Sequence, residues 1–293
     1  HHPVKAIVYR IRAALARAYT DFFRKIGFTE VQMPTITFSE CEGGCQPMQM
    51  TLLLTSGKTI DIPVKEGSQF VDFARDFFGR KAYATVSAQL ELETQLPMGP
   101  VYAITRAFRG EPSATSRHLC EFSMLELEIP FTSGAKDVIR VTEALIKYCL
   151  QYILDFYSDE LKFLGEQTGD KDIIERLYKY VAQPFVRTTH AKVVEIIQAE
   201  AAIDPTRFKV IPTFKDDLSA EHESFIVEKY GAPVVVQLYP KDVKAFYMPV
   251  VQETPEESHG VEHVDCFDLL VPGVGELVGG SQRIHDEIGR AHV

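Results

Sequence analysis

Between Tyr102 and Pro130 the chain reads YAITRAFRGEPSATSRHLCEFSMLELEIP. Two apolar-rich runs flank a polar, turn-rich centre, Pro112–Ser116, and predict a strand, a charged loop and a returning strand. Along the return strand Phe122, Met124 and Glu126 share one face, because side chains alternate with a period of two. The hairpin also gathers Arg109, Arg117, a carboxylate and an aromatic ring. Guanidinium forks suit phosphate and a ring suits stacking, so the set matches an anionic, planar-ringed ligand such as ATP. Spacing alone equally allows an exposed, salt-bridged hairpin with a core phenylalanine.

Phe108-Arg109-Gly110-Glu111, a short loop, and Arg117-His118 followed by Glu121-Phe122 resemble motif 2 of the class II aminoacyl-tRNA synthetases. The Thr115–Phe122 version is most similar to the asparaginyl branch of that family. The resemblance implies an α+β fold, an antiparallel sheet flanked by helices. It also implies roles: Arg109 on the α-phosphate of ATP and, as bridge to the amino-acid carboxylate, the catalytic residue; Glu111 on the adenine edge; Phe122 stacked on the ring; Arg117 and His118 on the distal phosphates.

Upstream, Ile7, Ile11, Leu15, Ala18, Phe22 and Ile26 recur at helical spacing and predict an amphipathic helix over Val4–Ile26, stopped by Gly27. A strand over Phe28–Met33 ends at Pro34. By periodicity these are a helix and a strand; together they resemble motif 1, which implies a homodimer through the helix and Phe28–Pro34. Thr37–Met48 is a polar loop whose paired glycines, Gly43 and Gly44, allow closure. The resemblance places Glu42 on the α-ammonium group of the amino acid. Cys41 and Cys45 with His259, His263 and Cys266 lack the close spacing of a zinc site.

Thr51–Thr55 and Thr59–Ile62 predict a hairpin, Ser68–Phe78 an amphipathic helix with core phenylalanines, and Ala82–Val86 a strand. Ser87 is a helix cap before a helix over Ala88–Leu96. The resemblance makes Gln89 an amino-acid contact. It puts Leu92 where aspartyl relatives carry a lysine; without that cation, a bound aspartate would be an unpaired buried charge. Asparagine is therefore the expected substrate. Glu126 would accept from its amide NH₂ and Arg283 donate to its carbonyl.

Lys136–Tyr157 predicts a long helix, Gly165–Asp170 a linker, and Ile173–Val181 and Ala191–Ala201 further helices. Residues 131–231 read as a helical insertion, with His190 at a helix start. Strands follow over Pro233–Leu238 and Val243–Val250; Tyr239–Met248 between and along them resembles the asparaginyl branch of the family, while by composition alone Lys241 and Lys244 equally suit a solvated hairpin. Gln252–Glu262 is an exposed acidic connection that leaves His259 and His263 in solvent. Asp265–Arg283, DCFDLLVPGVGELVGGSQR, predicts two strands around Pro272-Gly273. Asp268 and Glu276 on neighbouring strands suit Mg²⁺ beside a phosphate, and Gly279-Gly280 permits close backbone approach. This stretch resembles the family's ATP and metal strand.

The chain has 293 residues, five scattered cysteines and a net charge of −10. The cysteines suit a reducing compartment and a cytoplasmic protein. No apolar run of roughly 18 residues exists, so no membrane span is expected. The acidity argues mildly against nucleic acid but allows a local basic groove. The family's motif 3 is not found after Arg283, and its anticodon-binding barrel is not found before His1. Glu287–Val293 resembles a translated library adapter, so residues 1–286 read as an incomplete catalytic domain and 287–293 as a non-native tail. This piece alone is expected to charge tRNA(Asn) poorly. The alternatives are an aspartyl enzyme, or a paralogue that has become an amide synthetase or binding protein.

Overall fold

The computed structural model describes residues 2–38, 46–54, 62–110, 119–251 and 259–285. In chain order its elements are α1 (Pro3–Lys25), β1 (Thr29–Glu30), β2 (Ile36–Thr37), β3 (Met48–Met50), β4 (Ala82–Ala84), α2 (Gln89–Glu93), β5 (Val101–Phe108), β6 (Glu121–Glu128), α3 (Ala135–Thr168), α4 (Ile173–Ala182), β7 (Val186–Thr189), α5 (His190–Ile203), α6 (Ala220–Tyr230), β8 (Val234–Gln237), β9 (Cys266–Val271) and β10 (Gly275–Ser281). They form two compact units: Gly27–Pro130, and His1–Ile26 with Phe131–Val293.

Within Gly27–Pro130, β5 and β6 pair antiparallel and β1 runs parallel along β5. A second sheet has the order β2-β4-β3. Alternation along β5 buries Val101, Ala103, Thr105 and Ala107 and exposes Ile104 and Arg106. Leu92 of α2 is fully buried with Val101 and Ala103, and Val31, Met33 and Leu96 pack against them. The expected helix over Ser68–Phe78 reduces to a 3₁₀ turn, Phe73–Arg75. Asp72 accepts from the Ala74 N–H, and such short-range bonds compete with a longer helix. Phe70 and Phe77 are exposed, not core.

In the other unit, α1 packs on α3. Asp21 and Lys25 meet Tyr148, and Arg17 donates to the Tyr157 hydroxyl. Ala14, Ala18, Phe22 and Phe23 are buried, whereas Ile26 is exposed. The α3 helix kinks at Tyr157, where the sequence predicts its end, then runs on through the expected linker to Gly169 in the left-handed region. Residues 131–231 are mostly helical, but they also contribute β7 to the sheet, whose order is β10-β9-β8-β7. Its inner strands, β8 and β9, are buried on both faces. Val234, Val236, Cys266 and Leu270 pack with Val193, Ile197, Phe225 and Ile226 of α5 and α6. Val235, Phe267 and Leu269 pack with Ala135 and Ile139 of α3. Continuous apolar strands are the signature of such a two-sided sheet. The expected strand Val243–Val250 does not form; a 3₁₀ turn, Lys241–Val243, and irregular chain replace it.

Candidate active site

In Gly27–Pro130 the site grows from the end of the β5–β6 pair. Ala107 stands opposite Phe122, and Phe108 opposite Glu121. Arg109 is the next residue, and its backbone N–H donates to the Cys120 carbonyl at 3.1 Å. Its Nε donates to the Val86 carbonyl at 3.4 Å, and its guanidinium carbon lies 5.5 Å from the centre of the Phe122 ring. The expected cation and ring thus stand together, within cation–π range. Gly110 donates to the Gln46 carbonyl at 3.0 Å, and a Cβ on it would sit 2.9 Å from that same oxygen.

Glu126 stands opposite Ala103 and is buried. Its carboxylate accepts from Ser87 Oγ at 2.5 Å, the Ala88 N–H at 3.0 Å and Thr105 Oγ1 at 2.6 Å. An ionised carboxylate held by several donors is well compensated for its burial. These bonds tie β6 to the turn that starts α2. Ser87 Oγ also accepts from the Gln89 N–H at 3.1 Å. Ser87 therefore caps the helix as expected, from one residue before the Ala88 N-cap position. Gln89 opens α2 and is half-buried. Leu92 belongs to the core. Glu42, Glu111, Arg117 and His118 lie outside the described residues, as do Cys41 and Cys45.

In the other unit, the row Cys266, Asp268, Leu270 faces the α5–α6 layer, so strand alternation drives an acid into an apolar row. The partner is Lys244, whose Nζ donates to Asp268 Oδ2 at 2.7 Å. Lys244 is not in the solvated hairpin that composition alone allows; its side chain is only 15% exposed. Burial pushes the Asp268 carboxyl up. Burial is the strongest single influence on the Lys244 ammonium and lowers it, but the Asp268 charge and hydrogen bond, with the Asp217 charge, together leave the ammonium raised. These directions oppose each other across one contact, and the 2.7 Å distance marks an ion pair at neutral pH. Sequence reasoning missed Lys244. Its signal was the acid in a β-strand row that otherwise reads as buried.

Pairing along β9 and β10 shifts between Glu276 and Val278. Glu276 faces Leu270 and Gly279 faces Asp268. Strict alternation would send Glu276 and Gly279 to opposite faces; the extra residue at the bulge puts both on the face of Asp268. Glu276 Oε1 and Asp268 Oδ1 lie 3.0 and 3.6 Å from where a Gly279 Cβ would be. As a residue Glu276 is exposed. Its crowded surroundings, and then the Asp268 charge, nonetheless push its carboxyl up to about 7. Arg283 is held by its neighbours: the Gln282 N–H donates to the Asp265 carbonyl and the Ile284 N–H to the Tyr247 carbonyl, both at 2.9 Å. Its guanidinium carbon lies 3.4 Å from the Tyr247 ring centre. His190 and His263 are buried, and the second contradicts its expected exposure.

A family profile of the class II tRNA synthetases (D, K and N) matches residues 3–292. The chain belongs to this family. The Asparagine--tRNA ligase of Pseudoalteromonas atlantica is 37% identical over 278 residues, covering 94% of this chain and 56% of the relative. That of Yersinia pestis is 38% identical with the same coverage. The chain thus spans about half the length of the curated relatives it matches. Asparaginyl-tRNA synthetase from Pyrococcus horikoshii, solved with asparaginyl-adenylate, superposes with a TM-score of 0.78 at 28% identity, covering 99% of this chain and 56% of that one. An aspartyl-tRNA synthetase from Entamoeba histolytica, at 21% identity and a TM-score of 0.68, shares the fold. The expected class II-type α+β architecture is borne out.

For a class II synthetase the implied metal is Mg²⁺, and the residues present fit it. Two carboxylate oxygens from β9 and β10 converge over Gly279, where a side chain would fill the space. An all-oxygen set of one or two carboxylates, completed by phosphate and water, is what Mg²⁺ takes. Among the described residues no cluster of three His, Cys, Asp or Glu side chains forms a metal cage.

Proposed function

We propose that this chain carries the amino-acid-activating part of an asparaginyl-tRNA synthetase. The asparagine carboxylate attacks the α-phosphorus of ATP, forming asparaginyl-adenylate and releasing pyrophosphate; a ribose hydroxyl of the terminal adenosine of tRNA(Asn) then takes the asparaginyl group and AMP leaves. The reading is supported chiefly by the family match over residues 3–292 together with asparagine ligases at 37–38% identity.

No protein nucleophile is required, so the chain's work is positioning and charge neutralisation. Arg109 holds the α-phosphate and the incoming carboxylate with its planar fork, against the Phe122 ring that stacks on adenine. Glu111 takes the adenine edge, and Arg117 and His118 the distal phosphates. Gln89 and Glu42 hold the amino acid. Glu126 accepts from the side-chain amide, which sets its Ser87 and Thr105 bonds as the frame that aims it, and Arg283 donates to the amide carbonyl. Asp268 and Glu276 hold Mg²⁺, which when bound neutralises phosphate charge.

The same reading assigns a homodimer through α1 and the Phe28–Pro34 stretch, and a cytoplasmic location. Among the described residues no helix is long and apolar enough to cross a membrane. Pyrophosphate exchange into ATP tests the proposal: asparagine stimulates it and aspartate does not. Exchange stimulated by aspartate alone contradicts it.

A further inference from the structure

Lys244 has no part in the chemistry above, yet it is the cation that touches the proposed metal pair. Its Nζ sits 2.7 Å from Asp268 Oδ2 and 3.9 Å from the centre of the Tyr239 ring. Tyr239 is buried at 1% exposed and its side chain also hydrogen-bonds Asp268, so the ammonium is held between a carboxylate and the ring of a second Asp268 partner. The other oxygen of Asp268, Oδ1, is the one that turns to the Gly279 cradle beside Glu276 Oε1. The two oxygens of one carboxylate are therefore divided: one is bound to a protein cation and the other faces the cradle.

That division has a chemical consequence. Ca²⁺ takes 6–8 oxygens at longer range in flexible geometry and readily uses both oxygens of a carboxylate. Mg²⁺ demands a near-octahedral shell at short range and takes carboxylates through single oxygens. We propose that Lys244 is a positioning residue that locks Asp268 as a one-oxygen ligand and so biases the site toward small octahedral cations over Ca²⁺. The inference rests on Asp268 and Glu276 being the metal pair.

The test is cation binding to the 293-residue chain in the presence of a non-hydrolysable ATP analogue. Mn²⁺ binding is followed by paramagnetic resonance and competed with Mg²⁺ or Ca²⁺. Wild type prefers Mg²⁺ over Ca²⁺. Lys244→Met removes the ammonium from Asp268 Oδ2, and the preference narrows by roughly tenfold because Ca²⁺ gains most. Lys244→Gln keeps an N–H donor without the charge and holds the preference near wild type. Lys244→Ser replaces Met in the test if the methionine variant does not fold, since water can then solvate Asp268. If Lys244 acts only by charge, every variant strengthens Mg²⁺ and Ca²⁺ together with an unchanged ratio; that result overturns the assignment to Lys244. Wild type that binds neither cation overturns the metal pair itself, a failure distinct from the first.

Discussion

At the scale of single residues, Arg109 and Glu126 carry the sharpest expectations. Arg109→Lys keeps the charge but loses the fork, and the two are not equivalent at a bidentate, ring-stacked position. It should lower pyrophosphate exchange roughly 100-fold while leaving the thermal midpoint nearly unchanged. A loss of only a few-fold would show that Arg109 serves the hairpin and not the substrate. Glu126→Gln sets an NH₂ against donors from Ser87, Ala88 and Thr105. One unsatisfied buried donor costs about 1–3 kcal/mol, readable by urea unfolding; an equally stable variant would mean the carboxylate is not held as described. Arg109 and Phe122 were legible because both lie at one end of a hairpin. The donors to Glu126 were not: Ser87 comes from a turn outside the hairpin, and a hairpin's pattern does not give the register that sets Thr105 on β5 beside Glu126 on β6.

At the scale of elements, the β9–β10 pair shows what pattern reading reaches and what it misses. Both strands were readable from apolar runs around a Pro-Gly turn. The bulge was not, since one extra residue leaves no compositional mark; yet it places Glu276 on the face of Asp268. Gly279→Ala tests that geometry. Its Cβ meets only side-chain oxygens, so stability should hold, whereas Mn²⁺ affinity should fall roughly tenfold or more as the cradle fills. Undiminished affinity would place the cation elsewhere. Gly280→Ala should do the reverse: its Cβ would lie 2.5 Å from Phe267 Cε1 in the core, an overpacking of about 1–3 kcal/mol seen in unfolding midpoint. Ser68–Phe78 and Val243–Val250 misread for a common reason. Aromatic-rich and lysine-rich periodicity resembles regular structure, but local Asp bonds and the buried Lys244–Asp268 pair hold those segments in turns.

At the scale of the molecule, the family was legible from ordered motifs running from the first helix to Arg283, and the profile match bears that out. The grouping of α1 with residues beyond Phe131 was not, because nothing local signals that a helix pairs with α3 rather than with the strand that follows it. Global stability should carry a pH signature. Burial holds the His190 imidazole down to about 4 and lowers His263 as well. In the unfolded chain both return to about 6.5. With folded values below unfolded ones, this stability is complete above pH 6.5 and is lost as pH falls toward 4, because the unfolded state takes up the protons first. His190 accounts for roughly 3 kcal/mol of that loss, and His190→Gln should flatten it in urea titrations at pH 7 and 4.5. A wild-type chain equally stable at both values would contradict the burial of these rings. The proposed function requires the molecule to bind an asparaginyl nucleotide, and calorimetric titration with non-hydrolysable asparaginyl- and aspartyl-adenylate analogues tests that most directly. Saturable binding of the asparaginyl analogue, weakened by Arg109→Lys and at least roughly tenfold tighter than the aspartyl one, is the predicted result; equal or stronger binding of the aspartyl analogue, or none of either, would contradict it.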